Sequence, residues 1–191
     1  MENVLYGNSD GTNIDYLIGQ REGSLAPYVK THLVFKCPAD RSTTTLGDGN
    51  AYARVRTYSM NGFMGTRALD NGGTDPAATF LRRAELPKAR RSELIVFMDE
   101  HEDSLSRCIF YLNRDINLEV WSRLPASRHS NSGVMSYTDG HAEIHRWRDA
   151  RTLVPVKGVR QGGMAFVATG SPDWKYVWER LTKATAAFGD P

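Results

Sequence analysis

The chain has 191 residues, a net charge of +2, 40% hydrophobic residues and 24% charged residues, which is ordinary globular composition. The near-neutral charge gives no general electrostatic footprint for nucleic acid, and no apolar run approaches the roughly 20 residues of a membrane-spanning helix. The two cysteines, Cys37 and Cys108, form no CxxC pair, which argues against a zinc knuckle. They are either one disulfide or two buried thiols, and we favour buried thiols.

The N-terminal part of the chain is predicted to be irregular. Residues 1–22 are rich in Gly, Asn and Asp and have neither the basic nor the apolar region of a signal peptide, so we assign them to a loop or linker. A single domain is predicted over 23–191. It begins with a short helix over 25–30 and an extended segment over 32–37, and a loop follows at 42–53.

The middle of the chain has the patterns of β-strands. The continuous apolar run 94–98 predicts a buried central strand, and residues 107–113 predict a further strand. Residues 53–65 alternate in polarity, which places two sets of side chains on opposite faces: Tyr58 and Met60, and Val55, Thr57 and Ser59.

The stretch 128–147 contains three of the five histidines and a hairpin signal, Asp139-Gly140, between two alternating runs. A two-residue turn would pair Tyr137 with Ala142. Residues directly opposite share a face. That register predicts a core face of Met135, Tyr137, Ala142 and Ile144, and an outward face of Ser136, Thr138, His141, Glu143 and His145.

The last regular element is predicted to be an amphipathic helix over 173–183, with its N-cap region at 171–173. Its apolar residues recur at helical spacing: Trp174, Val177, Trp178 and Leu181. Together these elements predict an α+β fold with an antiparallel β-sheet meander, in which the hairpin 134–147 lies next to the 94–98 strand and the C-terminal helix packs on the sheet.

Two groups of residues have the chemistry of metal ligands. Histidine and carboxylate side chains at alternate positions of a strand, His141, Glu143 and His145, suit a three-ligand site, although a solvated sheet face has the same pattern. The acidic segment 99–103 would attract a divalent cation, although an exposed acidic turn explains it equally. We hypothesise that both groups converge at one edge of the sheet and hold calcium or zinc through Asp99, Glu100, His101, Asp103, His129, Asp139, His141, Glu143 and His145. Asp139 could instead be occupied by the turn.

Other catalytic patterns are missing from the sequence. It contains no G-x-S-x-G nucleophile elbow, no Walker A loop and no dinucleotide fingerprint, so no nucleotide cofactor is expected.

The order of several segments resembles one protein family. His129 followed after nine residues by Asp139-Gly140 resembles the His-x(9)-Asp-Gly signature of prepilin-type proteins abundant in Planctomycetes and Verrucomicrobia. Further segments, over roughly residues 23–185, are similar to that family: "YVKTHLVFKCPAD", "RTYSMNGFMG", "VFMDEHEDS", "PASRH" and "SPDWKYVWERLT". The resemblance implies a pilin-like head, an antiparallel sheet that in full-length members packs on a long N-terminal helix. It also implies that calcium can be bound in head loops.

The chain departs from that family at its start, where the basic leader, the processing site and the apolar helix are not found. We therefore expect the N-terminal transmembrane helix to be absent and the chain by itself to be soluble, in a family of the cell envelope or cell surface.

The expected function is a pseudopilin-like head related to type II secretion or type IV pili, with a structural or surface-binding role. Expected partners are other pseudopilin or envelope components and polysaccharide, without nucleic acid and without direct membrane insertion. The alternative is a metal-dependent hydrolase of ester or glycoside substrates that uses the His/Asp/Glu-rich face. Fold alone does not decide between them.

Overall fold

The computed structural model describes residues 11–19, 26–65, 79–105, 108–112, 119–158 and 166–183. The α-helices in these residues are α1 (Asp15–Ile18) and α2 (Pro172–Leu181), and 3-10 turns lie at Ala26–Tyr28, His32–Phe35, Arg83–Glu85, Lys88–Arg90 and Ala150–Thr152. The strands are β1 (Thr43–Thr45), β2 (Ala51–Ala53), β3 (Tyr58–Asn61), β4 (Ile95–Asp99), β5 (Ile109–Phe110), β6 (Val120–Trp121), β7 (Ser132–Tyr137), β8 (Ala142–Arg146) and β9 (Phe166–Val167). Over the described residues, no helix is both long and apolar enough to span a bilayer.

A five-stranded sheet in the order β5-β3-β4-β7-β8 forms the centre of the molecule. The pairs β3-β4, β4-β7 and β7-β8 are antiparallel. Strand β5 is an edge strand that runs parallel to β3. Two small ribbons, β1-β2 and β6-β9, complete the strands. The predicted α+β class, the central strand from the 94–98 run and the adjacent hairpin are therefore confirmed. Residues 107 and 113 of the predicted further strand lie outside the described residues.

Helix α2 packs on one face of this sheet as its apolar spacing predicts. Ser171 caps the helix by accepting a hydrogen bond from the Trp174 amide at 3.3 Å, and Pro172 occupies the first turn, where its missing N–H costs nothing. Trp174 is fully buried and Trp178 is 3% exposed. Both tryptophans belong to one apolar core with the sheet residues Ile95, Met98, Met135 and Tyr137.

The two faces of the sheet differ in what covers them. The face that contacts α2, the helix face, carries Met98 and Met135, which lie opposite each other. The other face, the open face, carries residues that alternate with these: Tyr58, Met60, Phe97, Val134 and Ser136. A β-bulge between Ile95 and Phe97 keeps Ile95 and Met98 on the helix face although they are three residues apart.

The β7-β8 hairpin has a different register from the predicted one. The Tyr137 amide donates to the His141 carbonyl at 2.9 Å, so the turn contains three residues, 138–140. Gly140, at φ 98°, supplies the left-handed position that such a turn needs. Met135 therefore lies opposite Glu143 and not opposite Ile144.

This shift of one residue exchanges the faces of β8 relative to β7. The predicted faces were therefore wrong for β8, whereas Met135 and Tyr137 of β7 lie in the core as predicted. His141, Glu143 and His145 lie on the helix face with Met135 and Tyr137, and the open face receives Ala142 and Ile144. Ile144 is consequently 66% exposed.

Two N-terminal predictions also differ from the structure. Residues 42–53 form the β1-β2 hairpin and not a loop, since Asp48 accepts a hydrogen bond from the Asn50 amide at 2.9 Å and tightens the turn. Residues 32–37 contain a 3-10 turn and not an extended segment, because the Thr31 hydroxyl caps an amide two residues later at 3.3 Å. In both cases short polar side chains form hydrogen bonds to nearby backbone groups. The spacing of apolar residues along the sequence does not predict such bonds.

The N-terminal loop or linker predicted over 1–22 is described only at 11–19, where α1 lies and where the Val55 amide donates to the Gly11 carbonyl at 3.1 Å. The rest of that segment lies outside the described residues, and so does Leu25 of the predicted first helix. The boundary between this segment and the domain remains a prediction.

Candidate functional site

The nine residues proposed as one metal site lie in three separate places. Asp99 and His129 meet at the open face, where Cys37 joins them. Glu100, His101 and Asp103 lie in a buried turn after β4. Asp139, His141, Glu143 and His145 lie along the hairpin. The expectation that all of them converge at one edge of the sheet was wrong, because the hairpin register turns its histidines to the helix face while Asp99 lies opposite Tyr58 on the open face.

The open-face cluster, Cys37, Asp99 and His129, unites three segments. One ligand atom from each residue lies within 4.8 Å of the others, and among the described residues it is the one such group of three or more. Cys37 Sγ and His129 Nε2 are 3.2 Å apart, within hydrogen-bonding distance for sulfur. The Cys37 amide is held by the Thr57 hydroxyl at 2.8 Å.

Asp99 is the electrostatic centre of this cluster. It is fully buried, and its Oδ1 accepts a hydrogen bond from the Arg128 guanidinium, which also pairs with Glu102 Oε1 at 2.8 Å. Burial raises the pKa of Asp99 to about 6, although the charge of Arg128 opposes this shift. Asp99 Oδ2 has no close hydrogen-bond partner among the described residues, although hydrogen bonding by the Thr57 hydroxyl also opposes the rise in the pKa of Asp99.

The buried turn after β4 is held by internal hydrogen bonds. Ser59 Oγ donates to Glu100 Oε2 at 2.5 Å, and Ser104 Oγ donates to Glu100 Oε1 at 2.8 Å. His101 Nδ1 accepts from the Asp103 amide at 3.1 Å, and its Nε2 lies 2.9 Å from the Val154 carbonyl. Both nitrogens of His101 are thus engaged by backbone groups, which leaves no lone pair for a metal.

The same turn does not fit calcium. Calcium takes six to eight oxygen ligands around one point. Here the carboxylates diverge to different partners: Glu100 to two serines, Glu102 to Arg128, and Asp103 Oδ2 to the Lys157 amide at 2.7 Å. The turn therefore has the character of a structural polar network.

At the tip of the hairpin, Asp139 serves the turn. Its Oδ1 accepts from the His141 amide at 3.1 Å and from His141 Nδ1 at 2.6 Å. These hydrogen bonds lower the pKa of Asp139. The His141 ring stacks on Tyr137 with ring centres 4.4 Å apart. The alternative in which Asp139 is occupied by the turn is the one that the structure shows.

Further along the hairpin, Glu143 and His145 contact α2. Glu143 Oε1 accepts hydrogen bonds from the hydroxyls of Tyr137 and Tyr176, and these bonds lower the pKa of Glu143. His145 is half-buried, stacks on Tyr176 at 3.7 Å between ring centres, and has its pKa lowered by burial. The pattern His-x-Glu-x-His here joins the edge strand to the helix.

An apolar groove of about 350 Å³ lies beside the open-face cluster. Tyr58 connects the two features, since it lines the groove and lies opposite Asp99 in the β3-β4 register. Burial, followed by the negative charges of Asp99 and Cys37, raises the pKa of Tyr58 to about 12. The groove is lined by Val29, Val34, Phe35, Tyr58, Phe97, Val134, Met135, Ser136 and Ala142.

Sequence reasoning missed Cys37 as a member of the cluster. Both cysteines are free thiols; Cys37 is buried as predicted, whereas Cys108 is only partly buried. Nothing in the spacing of residues 37, 99 and 129 indicates a common site. One available signal was that each of the three lies in a segment that resembles the prepilin-type family.

Comparisons of the chain with family models, with curated proteins and with solved structures find no match. The functional interpretation therefore depends on the residues and their geometry.

Proposed function

We propose that the chain is the globular head of a pseudopilin-like protein related to type II secretion or type IV pili, with a structural role in assembly. In this proposal the open face of the sheet packs against an apolar helix of a pseudopilin or other envelope component. The observation that carries the proposal is the apolar character of a sheet face that α2 does not cover.

An antiparallel sheet with one face against solvent normally carries polar side chains on that face. Here the open face has apolar residues both in the groove and beyond it. Ile144 is 66% exposed and Met60 is 38% exposed, and Val34, which lines the groove, is 55% exposed. A contiguous exposed apolar surface of this kind marks a site of protein association.

The shape of the surface also suits a helix. The groove is open along one side and is bounded by the 26–35 segment on one wall and by the strands on the other. An amphipathic or apolar helix binds in such a groove by placing one side-chain stripe along it. The surface offers apolar contact where a polysaccharide would need polar partners, so it gives the polysaccharide alternative less support.

The hydrolase alternative has less support from the same geometry. Its proposed ligands, Glu143 and His145, contact Tyr176 of α2, and His101 is fully engaged by backbone groups. A metal-dependent hydrolase needs an open coordination position next to a substrate cavity. The histidine and glutamate side chains of β8 do not provide one, because they pack against α2.

The proposal is tested with a synthetic apolar helix of about 20 residues, solubilised by lysines at both ends. Its binding to the purified protein is followed by calorimetry and by amide chemical shifts. We expect binding, with shifts at the groove residues, and at least a tenfold loss of affinity in Ile144→Lys, because a charge is then placed on the contact surface.

Val167→Lys is the matched control. Val167 is 57% exposed but lies in the β6-β9 ribbon, whose Val120 carbonyl accepts from the Trp174 indole on the helix side. This variant should bind like the wild type. Absence of binding to the wild type, or an equal loss in both variants, would show that the open face is not the assembly surface.

A further inference from the structure

We propose that Cys37, Asp99 and His129 bind one zinc ion through a thiolate, a carboxylate and an imidazole, with a fourth position left for water or an external ligand. This inference does not depend on the assembly role proposed above. It rests on the geometry, burial and donor set of the open-face cluster.

The separation of the donor atoms fits a single ion. Zinc–sulfur and zinc–nitrogen bonds of about 2.3 and 2.1 Å in tetrahedral geometry place the two ligand atoms about 3.5 Å apart. Cys37 Sγ and His129 Nε2 are 3.2 Å apart, and the Asp99 oxygen is within 4.8 Å of both. Binding would require the Asp99 oxygen to approach the other two atoms to the separation of tetrahedral ligands.

The charges of the cluster also favour a divalent cation. A Cys37 thiolate and the Asp99 carboxylate together neutralise two positive charges, and a neutral His129 adds none. Arg128 does not by itself neutralise these two negative charges, because its guanidinium also pairs with Glu102 and contacts only one oxygen of Asp99. The other oxygen, Asp99 Oδ2, is buried and has no close hydrogen-bond partner among the described residues, although the Thr57 hydroxyl also interacts with the Asp99 carboxylate. Its capacity to accept is therefore not filled by a close donor, and this oxygen can coordinate an ion.

The donor set selects the kind of ion. Calcium and magnesium prefer oxygen ligands throughout, whereas thiolate and imidazole suit zinc and related transition metals. Arg128 would then act on Asp99 from outside the coordination sphere, holding its carboxylate in position through Oδ1. Among the metals expected from sequence, this cluster favours zinc over calcium.

Binding would couple distant parts of the chain. Cys37 follows the 3-10 turn at His32–Phe35, Asp99 ends β4, and His129 precedes β7. An ion held by all three would cross-link these segments in the folded state alone, so zinc should stabilise the fold by an amount that rises with the logarithm of its affinity.

The decisive experiment uses cobalt(II), a spectroscopic substitute for zinc, with the metal-free full chain. The Cys108→Ser variant retains Cys37 as the single thiol of the chain. We expect one equivalent of cobalt to give visible bands of tetrahedral intensity and a thiolate-to-cobalt charge-transfer band in both the wild type and Cys108→Ser. One equivalent of zinc should abolish both signals.

Variants of the other ligands give a second measurement, zinc affinity by competition with a chromogenic chelator. His129→Gln and Asp99→Asn should weaken binding more than about tenfold, since a three-ligand site loses a donor. His32→Gln is the matched control and should bind like the wild type.

The zinc site is excluded if cobalt gives no sulfur charge-transfer band in either wild type or Cys108→Ser. It is equally excluded if His129→Gln binds zinc as tightly as the wild type, which would indicate an adventitious ion only. Because the cobalt spectrum of the wild type needs no ligand variant, failure of a variant to fold does not leave the question open.

Discussion

The two faces of the five-stranded sheet differ in how completely their apolar side chains are covered. On the helix face, Met98 and Met135 are covered by the α2 tryptophans, and the carboxylate of Glu143 is bound by two tyrosine hydroxyls. On the open face, Ile144 is largely exposed and Asp99 keeps an oxygen without a close partner among the described residues. The comparison indicates that the apolar core is concentrated on the helix face, while the open face keeps exposed apolar side chains of the kind that association uses.

The sharpest test of this contrast replaces one apolar residue on each side. Trp174→Ala should destabilise the protein by about 3–5 kcal/mol, because it leaves a cavity in the core and removes the indole donor to the Val120 carbonyl. Ile144→Ala should change stability by about 0.5 kcal/mol or less. Urea unfolding followed by far-UV circular dichroism measures both, and equal effects would contradict the assignment of the core to the helix face.

The next largest effect is expected at Arg128, whose side chain is 8% exposed. Arg128→Met leaves the Asp99 and Glu102 carboxylates without their cation and should cost about 3 kcal/mol at pH 8. The cost should fall at pH 5, because burial has raised the pKa of Asp99 to about 6 and the protonated group needs no cation.

The control for Arg128 is Arg151→Met, which removes an exposed ion pair with Asp149. Denaturation of the metal-free protein at the two pH values should show a much smaller effect for this variant. A pH-independent cost for Arg128→Met would mean that Asp99 is not the group that Arg128 neutralises.

The length of the hairpin turn determines which β8 residues lie on each face of the sheet. Substitution of Gly140 tests the conformation of this turn. Gly140→Ala should cost about 1–2 kcal/mol, because φ of 98° is unfavourable for alanine even though its Cβ would meet no atom within 4 Å. Gly47→Ala, which adds a methyl group in equally open space without a positive φ, should be close to neutral. Chemical denaturation measures the stability of both variants. Equal stabilities would contradict the three-residue turn.

The smallest effect concerns the pH dependence of the helix face. Burial lowers the pKa of His145 below that of the unfolded chain, about 6.5, so the unfolded state takes up the proton first as the pH falls. This residue should therefore make the protein less stable as pH decreases through 6.5. In thermal unfolding between pH 7 and 5, the stability of His145→Phe should fall less steeply with pH than that of the wild type. An unchanged pH dependence would mean that His145 is not its source.

Local periodicity was sufficient for the elements of the sheet and helix. The spacing of Trp174, Val177, Trp178 and Leu181 predicted the buried stripe of α2, and the apolar run 94–98 predicted the central strand. These patterns are readable because each reflects the repeat of a single element, 3.6 residues in a helix or two in a strand. The pseudopilin-like function and the partners remain proposals.

The tertiary structure alone decided the hairpin register and the composition of the cluster. One extra turn residue, Thr138, reverses the faces of β8, and a sequence with Asp-Gly is compatible with either turn length. Cys37, Asp99 and His129 are far apart in the chain and share no periodicity. They meet because β3 lies beside β4 and β4 beside β7, and contacts between strands depend on pairing that no local pattern encodes.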